Sequence, residues 1–400
     1  NLGALAASLI AAFLGEVYGW SWGFGAAGIG MLVGLIVFIS GQKHLHGHAE
    51  PAHPERLKAP VLGGLINREW SIYLGSAFIV LVVWQIIQLH SGYWSLPLTA
   101  LGFSSDHEQG VVLLLMNLVF ITFLAWFIWF LAKRCNPVQR HQMIVLMVLI
   151  LAALIFFTLY EQTYGSWVAF TDRLLTKDLF GFSIEGEPGI PWMMFPLILS
   201  PIAMALALNT NNASVKKISS ISIGLIAVGF VIALFHDIVL TPQTAGSLTF
   251  LGAFFIVILS PVFSWLWPWL AKFGLNPSKP AKSAIGLIFG GLAFLPMVMG
   301  ADSAASGALA SVWWLVAAYF ILELGELSLS PVGLSAVTQL SVSSVVSVMM
   351  GAWFLATAYS EVLAAELGKL SAIALPADGK IDFALAAGKY SELFSLMIWI

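Results

Sequence analysis

Long apolar runs separated by short polar breaks make up most of the chain. A helix that crosses a bilayer needs about 20 mostly apolar residues. Runs of that kind lie at Trp20–Ser40, Ser71–Leu89, Val111–Leu131, Met143–Glu161, Pro191–Leu208, Ile218–Phe235, Leu248–Leu270, Ser283–Met299, Ser311–Leu329 and Gly333–Thr357. Two shorter runs, Asn1–Leu14 and Glu392–Ile400, begin and stop with the chain. The pattern predicts twelve spanning helices and reads as a piece of a longer protein. The polar stretches 41–70 and 358–391 are too short to hold a domain with its own core.

Composition points the same way. The chain is 60% hydrophobic and 9% charged, with mean hydropathy +0.93. A soluble domain carries about 25% charged residues, so the sequence predicts an all-α polytopic membrane protein. Loop charge tests the helix count. If 41–70 is cytoplasmic and sides alternate, Lys43, Arg56, Lys58, Arg68, Lys133, Arg134, Arg140, Lys216, Lys217, Lys272, Lys279 and Lys282 lie inside. Only Arg173, Lys177, Lys369, Lys380 and Lys389 lie outside. That bias toward the inside is the one found in membrane proteins, and one helix more or fewer in mid-chain would scramble it.

Other features add less. Cys135 is the one cysteine, so no internal disulfide forms. Glycines four apart (Gly19/Gly23, Gly30/Gly34, Gly286/Gly290) read as close helix packing. Tryptophans such as Trp20, Trp22, Trp265, Trp267, Trp269, Trp313 and Trp314 read as interfacial anchors. His44, His46, His48 and His53 have a spacing that can bind metal, but a solvated loop explains them as well, and no metal site is expected. There is no ATP-binding P-loop, no hydrolase order of Ser, His and Asp, and nothing that points to nucleic acid.

The chemistry lies in the acids. Glu323 and Glu326 sit inside an apolar run, and Glu161 closes another. A carboxylate at membrane depth costs several kcal/mol unless it is paired, hydrated or protonated. Residues three and four apart share a helix face, so Tyr319, Glu323, Glu326 and Ser330 form one polar stripe, after which Pro331 and Gly333 are expected to break the helix. The stripe reads either as a buried structural acid or as the lining of a cavity. Tyr160-Glu161-Gln162 reads either as an interfacial cap or as a proton site, with no arginine or lysine inside any predicted span to balance it. Trp353 and Thr357, one turn apart, read as one wall of a cavity or as core.

At these residues the chain becomes recognisable. GELSLSPVGLS from Gly325 resembles the signature of the proton-dependent oligopeptide transporter family of the major facilitator superfamily. NLGAL from Asn1, GWSWGFGAAGIGMLVGLIVF from Gly19, YEQ from Tyr160, ILSPVFSWLW from Ile258, LNPS from Leu275 and MGAWFLATA from Met350 follow in the family's order. The resemblance implies twelve core helices in two bundles, with this chain starting in the fifth. Residues 1–40 would close the N-terminal bundle and 41–70 a cytoplasmic loop. Residues 71–131 would form the inserted bacterial helix pair, and 143–400 the C-terminal bundle with an extra hairpin at about 191–236.

By the same resemblance, Asn1 contacts a peptide and Glu326 receives its amino group. Glu161 couples protons, and Phe157, Tyr160, Ser330, Trp353 and Thr357 line the pocket. Gly252 stands where members often carry an asparagine. The expected function is proton-coupled import of di- and tripeptides across a bacterial cytoplasmic membrane. Membrane lipids are its surroundings, protons are the coupling ion, and there is no other cofactor and no obligatory protein partner. Another small solute such as nitrate, or a non-transporting sensor or scaffold, are the rival readings. An enzyme would need a catalytic set that the sequence does not display.

Overall fold

The computed structural model describes residues 2–45, 54–90, 106–177, 179, 203, 211–235, 244–371 and 382–400. Asn1 and the predicted span Pro191–Leu208, save Ala203, lie outside these residues. The helices are α1 (Leu2–Tyr18), α2 (Trp20–Gly41), a single turn α3 (Pro54–Leu57), α4 (Arg68–His90), α5 (Asp106–Arg134), α6 (Pro137–Tyr160) and α7 (Ser166–Leu174). They continue as α8 (Ala213–Phe235), α9 (Phe250–Lys272), α10 (Lys279–Leu292), α11 (Phe294–Ala304), α12 (Trp313–Leu340), α13 (Val346–Gly368) and α14 (Phe383–Trp399). Six stretches among the described residues are long and apolar enough to cross a membrane: Trp20–Leu45, Pro137–Leu174, Ser247–Lys272, Lys279–Ala304, Trp313–Leu340 and Ser343–Ser371.

The chain divides into two compact units. Residues 33–140 form the smaller one, in which α4 packs on α5. It holds the one departure from helix among the described residues beyond an isolated bridge, an antiparallel ribbon pairing β1 (Pro60–Val61) with β2 (Ile66–Asn67). Its turn needs two left-handed residues, and Gly63 and Gly64 supply them at φ 70° and 95°.

Residues 1–32 and 141–400 form the larger unit. In α6, Met143, Leu146, Leu149, Ile150, Ala153 and Phe156 are buried, the three-and-four spacing of one inward face. The tightest packing joins α10 to α12. A Cβ on Gly286 would come within 2.7 Å of the Leu329 Cβ and 2.9 Å of the Gly325 carbonyl. A Cβ on Gly325 would come within 2.8 Å of the Gly286 carbonyl and 3.0 Å of Phe156. The two backbones therefore touch at glycine on both sides, the close approach that small residues permit in lipid. Gly30 and Gly34, by contrast, have nothing within 4 Å of an added Cβ. At α1, the Glu16 carboxylate accepts a hydrogen bond from the Gly246 amide at 2.9 Å, just ahead of α9.

Two expectations change. Pro331 and Gly333 do not end their helix, for α12 runs on to Leu340. The proline forfeits one bond to the Leu327 carbonyl, a loss that spanning helices tolerate when neighbours resolvate the backbone. Gly333 serves packing instead, since its missing side chain leaves room for the Trp353 ring. The span Ser283–Met299 is two helices, α10 and α11, meeting at Ala293.

Replacing Gly325 by Ala places a methyl group on the α10 backbone. The expected cost is about 1–3 kcal/mol, as for other overpacked cores, read as a lower midpoint in a thermal-unfolding scan of the purified protein. An unchanged midpoint would mean that the α10–α12 crossing is loose.

Candidate functional site

The acids gather where α6, α9 and α12 meet. Glu323 on α12 is fully buried, at 0% exposure. Its facing polar neighbours are Glu326 on its own helix and Tyr160 at the end of α6. Tyr164 and Tyr319 also lie close to it. Neither Glu323 oxygen nor Oε2 of Glu326 makes a hydrogen bond of ordinary geometry among the described residues, although the Tyr160 hydroxyl lies near both acids. On the α9 side Glu323 meets the backbone at Gly252. A Cβ on Gly252 would come within 2.9 Å of Glu323 Oε1 and 3.4 Å of the Tyr319 ring. The glycine makes the room that the Glu323 carboxyl fills.

Tyr319 holds the top of the stripe. Its ring meets Trp167 of α7 edge-on at 5.1 Å, and Trp167 is itself fully buried. The short helix α7 is fixed by a strap at its end. Ala310 donates to the Leu174 carbonyl at 2.8 Å and Thr176 donates to Ala310 at 2.8 Å. The Thr176 hydroxyl then accepts from Val312, at 3.1 Å, just ahead of α12.

Glu161 lies half-buried in a single 3-10 turn beyond α6. Glu361 of α13 and Glu326 are its charged neighbours. Beside it, Gln162 is buried and ties the turn to α13, donating to the Ala364 carbonyl at 2.8 Å and accepting from Ser166 at 2.6 Å. Glu161 opens onto a cavity of about 510 Å³ whose wall also carries Arg173, Glu361, Lys369 and Tyr390. Arg173 donates to the Tyr390 hydroxyl at 3.1 Å. The loop charges assign this end of the helices to the exterior. A second cavity of about 410 Å³ lies at the inner ends of α9, α10 and α12, with Lys279 and Lys282 in its wall.

The structure brings together Tyr160, Glu161 and Glu326, and sets Phe157 against Tyr160 with ring centroids 6.1 Å apart. Phe157, Ser330 and Thr357 are half-buried. Trp353 is 2% exposed, packed on Gly333, so its ring fills core space. Asn1 lies outside the described residues. Sequence reasoning missed Arg173, counted as a loop cation although it shares a cavity wall with Glu161. The helical spacing of Trp167, Phe170, Thr171 and Leu174, which the structure buries, was the signal that could have found its helix. It also missed Glu361. Among the described residues there is no cluster of His, Cys, Asp and Glu able to hold a metal ion.

Comparison with known proteins gives these residues a context. A family model described as the POT family matches residues 1–241 and 238–376. The chain is 27% identical over 370 residues to an uncharacterised transporter of Bacillus subtilis (strain 168), covering 92% of this chain and 58% of that protein. It is 28% identical over 372 residues to a peptide transporter of Yersinia enterocolitica, covering 92% and 59%. It is 25% identical over 398 residues to dipeptide and tripeptide permease A of Yersinia pestis, covering 98% and 60%. The chain thus spans about three-fifths of the length of these relatives. Among solved structures, a POT family transporter in complex with 5-aminolevulinic acid superposes with a TM-score of 0.61 at 19% identity, covering 100% of this chain and 65% of that one. A peptide transporter POT in complex with sulfate does so at 0.58 and 23%, covering 100% and 65%.

Replacing Gln162 by Leu removes both of its hydrogen bonds and leaves the Ser166 hydroxyl buried without its partner. The expected loss is about 1–3 kcal/mol, measured as a drop in the thermal midpoint. A variant as stable as the parent would show that the tie between α6 and α13 is dispensable.

Proposed function

The chain belongs to the POT family, and on that footing we propose that it is the larger part of a proton-coupled symporter that imports di- and tripeptides across a bacterial inner membrane. The observation that carries this reading is the run of carboxyls Glu361, Glu161, Glu326 and Glu323, each the charged neighbour of the next. It starts at an exposed residue beside a cavity on the outer side and ends at a fully buried one.

A peptide's ammonium group needs an anion at membrane depth, and Glu326 offers one. It is half-buried, with Tyr160 alongside. Phe157, Tyr160, Ser330 and Thr357 border the same region, with Asn1 assigned to it by resemblance. Glu161 is the coupling acid. It can draw protons from the outer cavity, and it neighbours the acid that takes the amine. Burial and the neighbouring Glu361 and Glu326 all favour its protonated form. Inward proton movement supplies roughly 2.3 kcal/mol per charge per 100 mV of membrane potential. Alternating access then moves one helix bundle against the other about a midplane site. The relatives named for di- and tripeptides support the substrate class, and so does the relative bound to 5-aminolevulinic acid, which carries a free amine.

Two variants test the assignment in proteoliposomes made from the full-length protein. Glu326→Gln is expected to weaken dipeptide binding at least tenfold, about 1.4 kcal/mol, while nitrate fails to compete. Glu161→Gln is expected to abolish accumulation driven by a pH gradient but to leave counterflow exchange. Accumulation by Glu161→Gln would sink the coupling assignment, and competition by nitrate would sink the substrate class.

A further inference from the structure

Glu323 ends the row of carboxyls without a role of its own, yet it is the most deeply buried acid among the described residues. The groups that face it are Glu326 and Tyr319 from its own helix, Tyr160 from α6 and Tyr164 from the turn after α6. From α9 the Gly252 backbone meets it. No Lys, Arg or His side chain among the described residues stands against it. Phenols titrate near pH 10 in water, so none of these neighbours brings a positive charge. A carboxylate buried without a counter-charge costs several kcal/mol. Two carboxylates that share a site do not both ionise.

The hydrogen-bond inventory points to the remedy. Three of the four oxygens of Glu323 and Glu326 are buried without a hydrogen bond of ordinary geometry, and the single proton of the nearby Tyr160 hydroxyl cannot serve all three. Both groups accept only while both are ionised. One added proton turns either into a donor to the other and satisfies two of the orphaned positions together. Any larger cation would need volume, and Glu323 lies against the α9 backbone with no exposure to water.

We propose that Glu323 and Glu326 form a two-carboxyl proton site that holds one shared proton, with Glu323 as its resident acid and Gly252 as the seat that makes room for it. The pair then carries a single negative charge. Glu323 donates its O–H to the ionised Glu326, which stays an anion for a ligand's ammonium. When the ammonium takes Glu326, the proton remains on Glu323 and no charge is left unbalanced. A second proton would neutralise Glu326 and release the amine, so the site makes amine binding depend on pH. Glu323 is thus a positioning residue that acts through Glu326. This dependence rests on the reading of Glu326 as amine receptor, whereas the shared proton does not.

Infrared spectroscopy of the purified full-length protein at neutral pH reads the proton directly, through the carbonyl stretch of a protonated carboxylic acid. The wild type is expected to show such a band and Glu323→Gln to lose it. A Glu323→Gln spectrum that keeps the whole wild-type band overturns the proposal. Gly252→Ala retains both acids but crowds Oε1, and its band is expected to shift in frequency; an unmoved band also overturns the proposal. Dialanine is then added to each protein. A wild-type band that shifts with dialanine, but not in Glu326→Gln, supports the link to the amine. If dialanine moves nothing while Glu323→Gln still lacks the band, the shared proton stands and the substrate reading of Glu326 falls.

Discussion

The contact between the backbones of α10 and α12 at Gly286 and Gly325 sets the position of everything chemical in the larger unit. On one side of α12, Gly325 and Leu329 press against α10. Glu323 and Glu326 stand on other faces of the same turn, because a helix advances 100° per residue. Holding the glycines in contact therefore fixes the height and rotation of both acids. Any side chain at either glycine would turn or lift the helix and carry the carboxyls with it. Phe156 wedges against both Gly290 and Gly325, which ties α6 and its terminal Tyr160 to the same crossing.

The second constraint is the cost of charge away from water. Glu361 is exposed, Glu161 and Glu326 are half-buried and Glu323 is fully buried. This gradient runs along one line of neighbours, so each acid meets a different balance of solvation and repulsion. Arg173 shares the cavity wall with Glu161 and Glu361. The strap between α7 and the start of α12 keeps it there, together with its bond to Tyr390. The buried Trp167–Tyr319 contact packs α7 against α12 beside the stripe that carries Glu323.

The spanning helices were legible because lipid imposes a minimum apolar length, and α6, α9 and α12 fall over runs that pattern marked, whereas the run Gly333–Thr357 is divided between the end of α12 and a helix α13 that continues to Gly368. The polar stripe on α12 was legible for the same reason, since an acid inside such a run stands out. What the sequence hid depends on neighbours from distant parts of the chain. Gly252 reads as the loss of a polar side chain, whereas in space the gap is filled by Glu323 from another helix. Arg173 reads as a loop cation because α7 is short and amphipathic and gives no apolar run. Pro331 reads as a stop because that rule reflects helices in water. Trp353 and Thr357 share a helix face as expected, but the ring sinks into the space above Gly333 and only the threonine is left partly open.

Pro331 has a mechanical meaning as well. Without a rung to the Leu327 carbonyl, α12 is two stiff rods joined at a compliant point. Tyr319, Glu323 and Glu326 all lie on the rod before that point, and the stretch toward Leu340 lies beyond it. The inner rod also carries Gly333 and with it the ring of Trp353 from α13. Bending at this joint would swing the cytoplasmic ends of α12 and α13 together while the carboxyls keep their registration against α6 and α9. Such a bend would let the helix ends change shape without moving the carboxyls.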